Sequence, residues 1–253
     1  MNFGAPCLVF VGILDLGHDL GAVSYFMIAS AVSIAIMLAA STLFVFVTGL
    51  PKRGYIISLS SSNCGNMGIP LCMFAFGQPG LSLAIAFFVV GTVYQLTVAL
   101  FISHGNMNLV DFFRITFLWG IAAALFFIST DTTPPIWIMN TTKLLSGVTI
   151  PLMLLTLGAS LATLKVVKLS KIISIGILKI AFGMGIGIAI ASYFGFEGVE
   201  RNVLIMQMSM PVAVFSYLLA SKYNRNPDEV ASLILTTTII TFFTVPLMLI
   251  FLF

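Results

Sequence analysis

Charge is what this chain has least of. Only 11 of its 253 residues are Lys or Arg and 8 are Asp or Glu, a charged fraction of 8%, about a third of that in a soluble domain. The basic residues are scattered over short loops and leave a net charge of +3. With no basic patch to track a phosphate backbone, nucleic acid is excluded as a partner. Cys7, Cys64 and Cys72 lie among apolar residues without metal or redox spacing and read as small buried hydrophobes. A Walker motif, a His-x-x-x-His pair and a Gly-x-Ser-x-Gly turn are all absent from the sequence. ATP-driven pumping and the commoner intramembrane hydrolases are thereby removed. No cofactor, no metal and no enzymatic activity are expected.

What is there is hydrocarbon: 60% of residues are hydrophobic and 23 are Phe, more than a soluble domain of this size can bury. The chain reads as an all-α polytopic membrane protein. Apolar runs near 20 residues predict nine spans: Asn2–Leu14, Val23–Leu50, Gly54–Phe76, Leu81–Ser103, Phe112–Ser129, Pro135–Leu164, Leu169–Tyr193, Asn202–Tyr223 and Val230–Phe253. The first is too short to cross about 30 Å of hydrocarbon at about 1.5 Å per residue. A signal peptide is the competing reading of it, but the start has no basic region and Asp15 intervenes before any small-residue cleavage site.

Loop charge orients the bundle. Lys52, Arg53, Arg114, Lys165, Lys168, Lys171, Lys222 and Arg225 fall on alternate loops, against Arg201 alone on the others. The richer side is expected to be cytoplasmic, in the cell (plasma or inner) membrane, which puts the C-terminus outside. All eight acidic residues, Asp15, Asp19, Asp111, Asp131, Glu197, Glu200, Asp228 and Glu229, map to loops or span ends. Carboxylate-based ion coupling inside the membrane is therefore disfavoured. His18, beside Asp15 and Asp19, reads as part of a solvated turn.

One segment breaks the apolar pattern. Ser58 to Leu71 reads Ser-Leu-Ser-Ser-Ser-Asn-Cys-Gly-Asn-Met-Gly-Ile-Pro-Leu, where a membrane helix should be most regular. Non-helical chain at membrane depth survives only where protein or a water-filled cavity satisfies its backbone, so the break is a candidate binding site. It also has an echo. Gly4-Ala5-Pro6-Cys7-Leu8 is matched by Thr149-Ile150-Pro151-Leu152-Met153, and Gly68-Ile69-Pro70-Leu71 by Ser209-Met210-Pro211-Val212. The matched spans run in opposite directions, which predicts two inverted five-helix repeats of the kind found in secondary transporters. The first repeat shows four spans and the second five. One further apolar span, with roughly 35 to 45 residues of chain, is expected ahead of Met1, and a groove along Asn2–Leu14 and Pro135–Leu164 is expected to be left uncovered.

Several motifs together resemble the auxin efflux carrier family over nearly the whole chain. They are Asn63-Cys64-Gly65-Asn66-Met67-Gly68-Ile69-Pro70-Leu71 with Phe76-Gly77, Pro151-Leu152-Met153-Leu154-Leu155 with Leu157-Gly158-Ala159-Ser160-Leu161, and Met210-Pro211 with Ala231-Ser232 and Thr236 to Pro246. The resemblance implies ten helices, of which nine are present, with the fourth and ninth broken and crossing. It implies a scaffold in residues 1–22 and 112–164 and a mobile transport domain in 23–111 and 165–253. The expected function is secondary transport or facilitation of a small organic anion, an auxin-like monocarboxylate or a malate- or malonate-type dicarboxylate. The alternatives are a bile-acid-type sodium symporter and a non-transporting membrane subunit. Expected partners are that anion, the lipid bilayer and a second copy docked through the scaffold helices.

Half-helices beginning at Pro70 and Pro211 would aim their N-termini at the midplane, each with about half a positive charge, and favour a carboxylate. Gly65 and Gly68 would let backbone N–H groups approach it closely, and Asn63 and Asn66 add amide donors. Met210 precedes the second break and Gln207 lies one turn before Pro211. Tyr94 and Gln95 either line the cavity or form a helix contact. Lys179, eight residues past Lys171 and so about 12 Å deep, either balances an anion or caps the carbonyls of a neighbouring helix. Lys143 is close enough to a span end to snorkel.

Overall fold

The structure, a computed structural model, describes residues 4–15, 20–104, 116–130, 132–164 and 169–252. Among them there is helix and no strand. The helices are α1 (Gly4–Asp15), α2 (Leu20–Thr48), α3 (Lys52–Ser60), α4 (Ile69–Tyr94), α5 (Leu100–His104), α6 (Thr116–Ser129), α7 (Ile136–Ala162), α8 (Leu169–Tyr193), α9 (Gly198–Met208), α10 (Val214–Lys222) and α11 (Pro227–Leu252). Two π-helical turns, Cys64–Gly68 and Gln95–Ala99, flank α4. Five stretches are long and apolar enough to cross a membrane: 21–48, 64–103, 136–162, 171–193 and 227–251.

Several hydroxyls inside these helices are silenced locally. Ser30, Ser33 and Thr42 of α2 each donate to the carbonyl one turn back, as do Thr237 and Thr241 of α11. A hydroxyl that bonds its own helix leaves no donor facing hydrocarbon.

The stretch 64–103 does not run straight. Gly77 adopts φ 65° and ψ −151°, a left-handed conformation that glycine reaches without a Cβ clash, and the chain turns back there. Cys72 packs on Gly80, Gly65 on Phe88 and Cys64 on Gly91, so two antiparallel legs meet along small residues. The first leg thus ends at Phe76, the residue at which the hydropathy of the sequence ends a span.

Two other helical stretches are interrupted rather than bent. Helix α3 stops at Ser60, and the chain resumes a helical course only at Cys64. Helix α9 stops at Met208, and α10 begins at Val214. The half-helix after the first break therefore opens on a π-turn at Cys64, with Pro70 at the start of the α-helix behind it, rather than on Pro70 itself. Pro211, its expected counterpart, lies inside the second break. The two prolines are not equivalent in space, because the crossing is set by which backbone groups pair and not by the proline spacing.

Packing gathers the helices into two groups. Helix α1 lies against α6 and α7: Gly120 admits the Pro6 carbonyl, and Phe10 meets Phe127 edge-on with ring centroids 6.1 Å apart. The remaining helices surround the two breaks. Leu8, Val9, Ile150 and Met153 of the first group join the main apolar core of the second, and Gly12 of α1 seats the side chain of Ile85.

The two ends differ in charge. At one, Tyr55 donates to Glu229 at 3.0 Å and Arg225 Nε to the Ser103 carbonyl at 3.4 Å, so the loops carrying Lys52, Arg53, Lys222 and Arg225 share that end. At the other, Gln78 donates to Asp15 at 2.8 Å, and Glu200 borders the same cleft. Arg114, Lys165, Lys168, His18, Asp19, Asp111 and Asp131 lie outside the described residues. The described acidic residues all sit at helix ends, as expected. Apolar side chains cover much of the outside, including Leu144, Val148, Leu152 and Leu155 on α7, whereas Leu8 to Val11 of α1 are buried. The apolar surface expected along both helices is thus exposed on α7 and covered on α1.

Candidate functional site

The two interruptions meet. Ser62 and Val212 form an isolated antiparallel bridge, in which Asn63 N–H donates to the Pro211 carbonyl at 2.7 Å and Ala213 N–H to the Ser61 carbonyl at 2.9 Å. Extended backbone in hydrocarbon needs such partners, because an unpaired group there costs several kcal/mol. Each break supplies what the other lacks. Val212 N–H, facing away from the bridge, is taken up by Thr237 Oγ1 of α11 at 3.1 Å.

Lys179 of α8 completes the pairing. Its ammonium donates to Ser62 Oγ at 3.0 Å and to the Met210 carbonyl oxygen, and the residue is 2% exposed. Of the two roles open to this lysine from the sequence, carbonyl capping is the contact observed. Met210 follows the C-terminus of α9, where a cation also meets the negative end of a helix dipole. Glycines bring α8 this close: a Cβ at Gly183 would strike the Met208 carbonyl, and one at Gly187 would lie 2.9 Å from Ile205 Cα. Small residues at such a contact let helix backbones approach within a membrane.

The crossing concentrates helix ends. The Cys64–Gly68 turn and α10 both begin here, so two partial positive charges converge at Asn63 and Ala213. The side-chain amide nitrogen of Asn63 is buried without a hydrogen-bond partner, and so is Ser61 Oγ. Beside them a cavity of about 10 Å³ is lined by Ser60, Ser61, Ser62, Cys64, Tyr94 and Gln95, among others. That is room for about one water. The Tyr94 hydroxyl shares a hydrogen bond with Ser60 Oγ across it.

The remaining expected residues divide. Tyr94 and Gln95 do line the cavity. Gly65 and Gly68 do not face an open space: the ring of Phe88 sits over Gly65, and the Gln207 amide sits over Gly68. Their missing Cβ atoms serve helix packing, a correction to the close-approach role expected from the sequence. Gln207 is wholly buried and donates to the Ala84 carbonyl at 3.3 Å, while its Oε1 has no partner. Asn66 is half-buried on the π-turn, which packs against α7. Pro70 is buried one turn behind the crossing. Residues not singled out from the sequence are Ser60 to Ser62, Cys64 and Thr237. The serine run was visible, but the partners of Ser61 and Ser62 come from α8, α9 and the break after α9, more than 100 residues away.

The profile of the family described as Membrane transport protein matches residues 113–249 of the chain. An uncharacterized transporter of Methanocaldococcus jannaschii is 26% identical over 200 residues, covering 74% of this chain and 64% of the relative. An uncharacterized transporter of Methanothermobacter thermautotrophicus is 26% identical over 206 residues, covering 77% of this chain and 66% of the relative. The chain spans slightly under two thirds of the length of these curated relatives.

Proposed function

The chain belongs to the membrane transport protein family, that of the auxin efflux carriers, and on that premise we propose that it is a secondary transporter or facilitator of small organic anions. The cargo is an auxin-like monocarboxylate or a malate- or malonate-type dicarboxylate. One observation carries the reading: the Asn63 amide is a buried donor without a partner at the point where two helix N-termini meet. A buried polar group left unsatisfied costs about 1–3 kcal/mol, and an arriving carboxylate oxygen would repair it. Ser61 Oγ supplies a further donor, and the N-terminal end of the Cys64–Gly68 turn a partial positive charge.

A cavity with room for one water is too small for any such anion, so binding requires the crossing to open. The two helix groups suggest how. We assign residues 1–22 and 112–164 to a scaffold and 23–111 and 165–253 to a transport domain, which slide against each other in alternating access, exposing the Asn66 side of the crossing by turns. In this reading the chain makes nine membrane crossings arranged as inverted repeats, with the basic end in the cytoplasm and the C-terminus outside.

Thermal unfolding of the purified protein against a panel of mono- and dicarboxylates tests the proposal, since a ligand that binds the folded state raises its Tm. The cargo should raise Tm in the wild type, drive uptake into proteoliposomes, and do neither in a folded Asn63→Leu variant. A panel in which no carboxylate stabilises the protein, or one in which Asn63→Leu responds like the wild type, overturns it.

A further inference from the structure

A second opening, apart from the small cavity, reaches Lys179. Between α2, α3 and α8 lies a groove of about 40 Å³, lined by Met37, Ser41, Phe44, Leu178, Lys179 and Phe182 among others. Leu178 and Phe182 are 41% and 52% exposed on the outer surface of α8, so the groove opens sideways from the bundle, where lipid lies. Its wall is apolar except at two places. Lys179 is one, and Ser41 is the other: 4% exposed, with no hydrogen-bond partner among the described residues. In this Ser41 differs from Ser30, Ser33 and Thr42 on the same helix, which all bond the carbonyl one turn back.

An ammonium has three donors and no acceptor. Those of Lys179 go to Ser62 Oγ and to the Met210 carbonyl, which leaves one. No acidic residue lies near it: the described carboxylates are all at helix ends, whereas Lys179 sits mid-helix in α8, about 15 Å from Leu169. A buried cation at membrane depth is costly unless a partner of opposite charge reaches it. Here the partner has an apolar path to it.

We propose that this lateral groove binds a monocarboxylate with an unbranched apolar tail, its carboxyl group on Lys179 and Ser41 and its tail over Phe44, Leu178 and Phe182. The groove is only about 40 Å³ and runs on into the exposed apolar surface at Leu178 and Phe182, which favours a linear chain over a ring. The site is distinct from the cavity lined by Ser61 and Tyr94. Lys179 links the groove to the crossing through its hydrogen bonds to Ser62 and Met210, so a membrane-dissolved acid in the groove acts on the crossing without passing through water.

The test uses the full chain in lipid nanodiscs with a decanoic acid that carries a photoreactive diazirine near the tail end. Peptide mapping should place the label on α2 and α8, around Phe44, Leu178 and Phe182. Unlabelled decanoate should reduce labelling at least fivefold, and decanol at the same concentration less than twofold. Ala40→Phe, which fills the groove from α2 without touching the crossing, should lower labelling at least fivefold and leave carboxylate stabilisation through Asn63 unchanged. Ser41→Ala should lower it by a smaller factor. Equal competition by decanol would mean that the groove is a plain lipid slot, and equal competition by phosphatidylglycerol would assign it to a lipid phosphate. Either result overturns the proposal, as does label spread evenly over all exposed helices or undiminished in Ala40→Phe. Failure of the Asn63 reading leaves the labelling outcomes unaffected, because none of them depends on transport or on binding at Asn63.

Discussion

Two glycines on one helix allow the packing of α8 on the broken span to be weighed directly. Gly183 and Gly185 lie half a turn apart in α8. A Cβ added at Gly183 would strike the Met208 carbonyl oxygen and sit 3.0 Å from its carbon, whereas at Gly185 it meets nothing within 4 Å. Gly→Ala in a helix interior gains about 1 kcal/mol of helix propensity at both positions. Only Gly183→Ala must then move a backbone away. Ordinary contact begins near 3.4 Å, and the oxygen lies closer than the carbon, so α8 and α9 must part by about an ångström there, weakening the contacts on either side of Lys179. Overpacking of this kind costs about 1–3 kcal/mol. The expected result is a Gly185→Ala protein as stable as the wild type or more so, and a Gly183→Ala protein that is less stable than Gly185→Ala by that amount. At about 2–4 °C per kcal/mol for a chain of this size, the gap is readable by circular dichroism during heating in detergent. Equal Tm values for the two variants would refute the close approach of α8 to the end of α9.

Three further outcomes are expected. Lys179→Met orphans the Met210 carbonyl oxygen and should lower stability by about 1–3 kcal/mol, with Lys179→Gln, which keeps a donor, recovering part of the loss; an unchanged Tm in Lys179→Met counts against the capping role. Thr237→Val is close to isosteric but removes the acceptor for Val212 N–H, and the same penalty of about 1–3 kcal/mol should appear as a lower Tm, whereas Thr238→Val, whose hydroxyl bonds only its own helix, should be near neutral. Asn66→Leu should abolish anion-induced stabilisation while the folded protein keeps the helical spectrum of the wild type; an unaltered ligand response would remove Asn66 from the site.

Some residues announced their place in the linear chain. Gly77 ends a hydrophobic run and carries the one conformation in α4 that favours glycine, so the span boundary at Phe76 and the turn in space coincide. The serine, asparagine and glycine run from Ser58 to Gly68 forbids a regular helix by local chemistry alone, since such residues offer the backbone competing hydrogen bonds or too much freedom. The end of the span at Tyr193 is legible to the residue, because Gly195 follows it and adopts φ 69° to close the helix. Other residues misled in a consistent direction. Pro70 and Pro211 look like counterparts in sequence, yet one begins a helix and the other lies in an extended break. Gly65 and Gly68 look like an anion cradle and are occupied by Phe88 and Gln207.

The sequence by itself determined the apolar, all-helical character of the chain, the five long apolar stretches and the two places where helices fail. Each of these depends on hydropathy or backbone preference within a few neighbouring residues. Only the tertiary structure decided what meets at the breaks: the pairing of Ser62 with Val212, the donation from Lys179 to Met210, the relief of Val212 by Thr237 and the lateral groove that ends on Ser41. Those contacts join segments 25 to 150 residues apart. Several helix faces in this chain are equally apolar, so hydropathy cannot choose among them; the choice falls to where glycines let backbones close and where each unpaired N–H or C=O finds its one available partner.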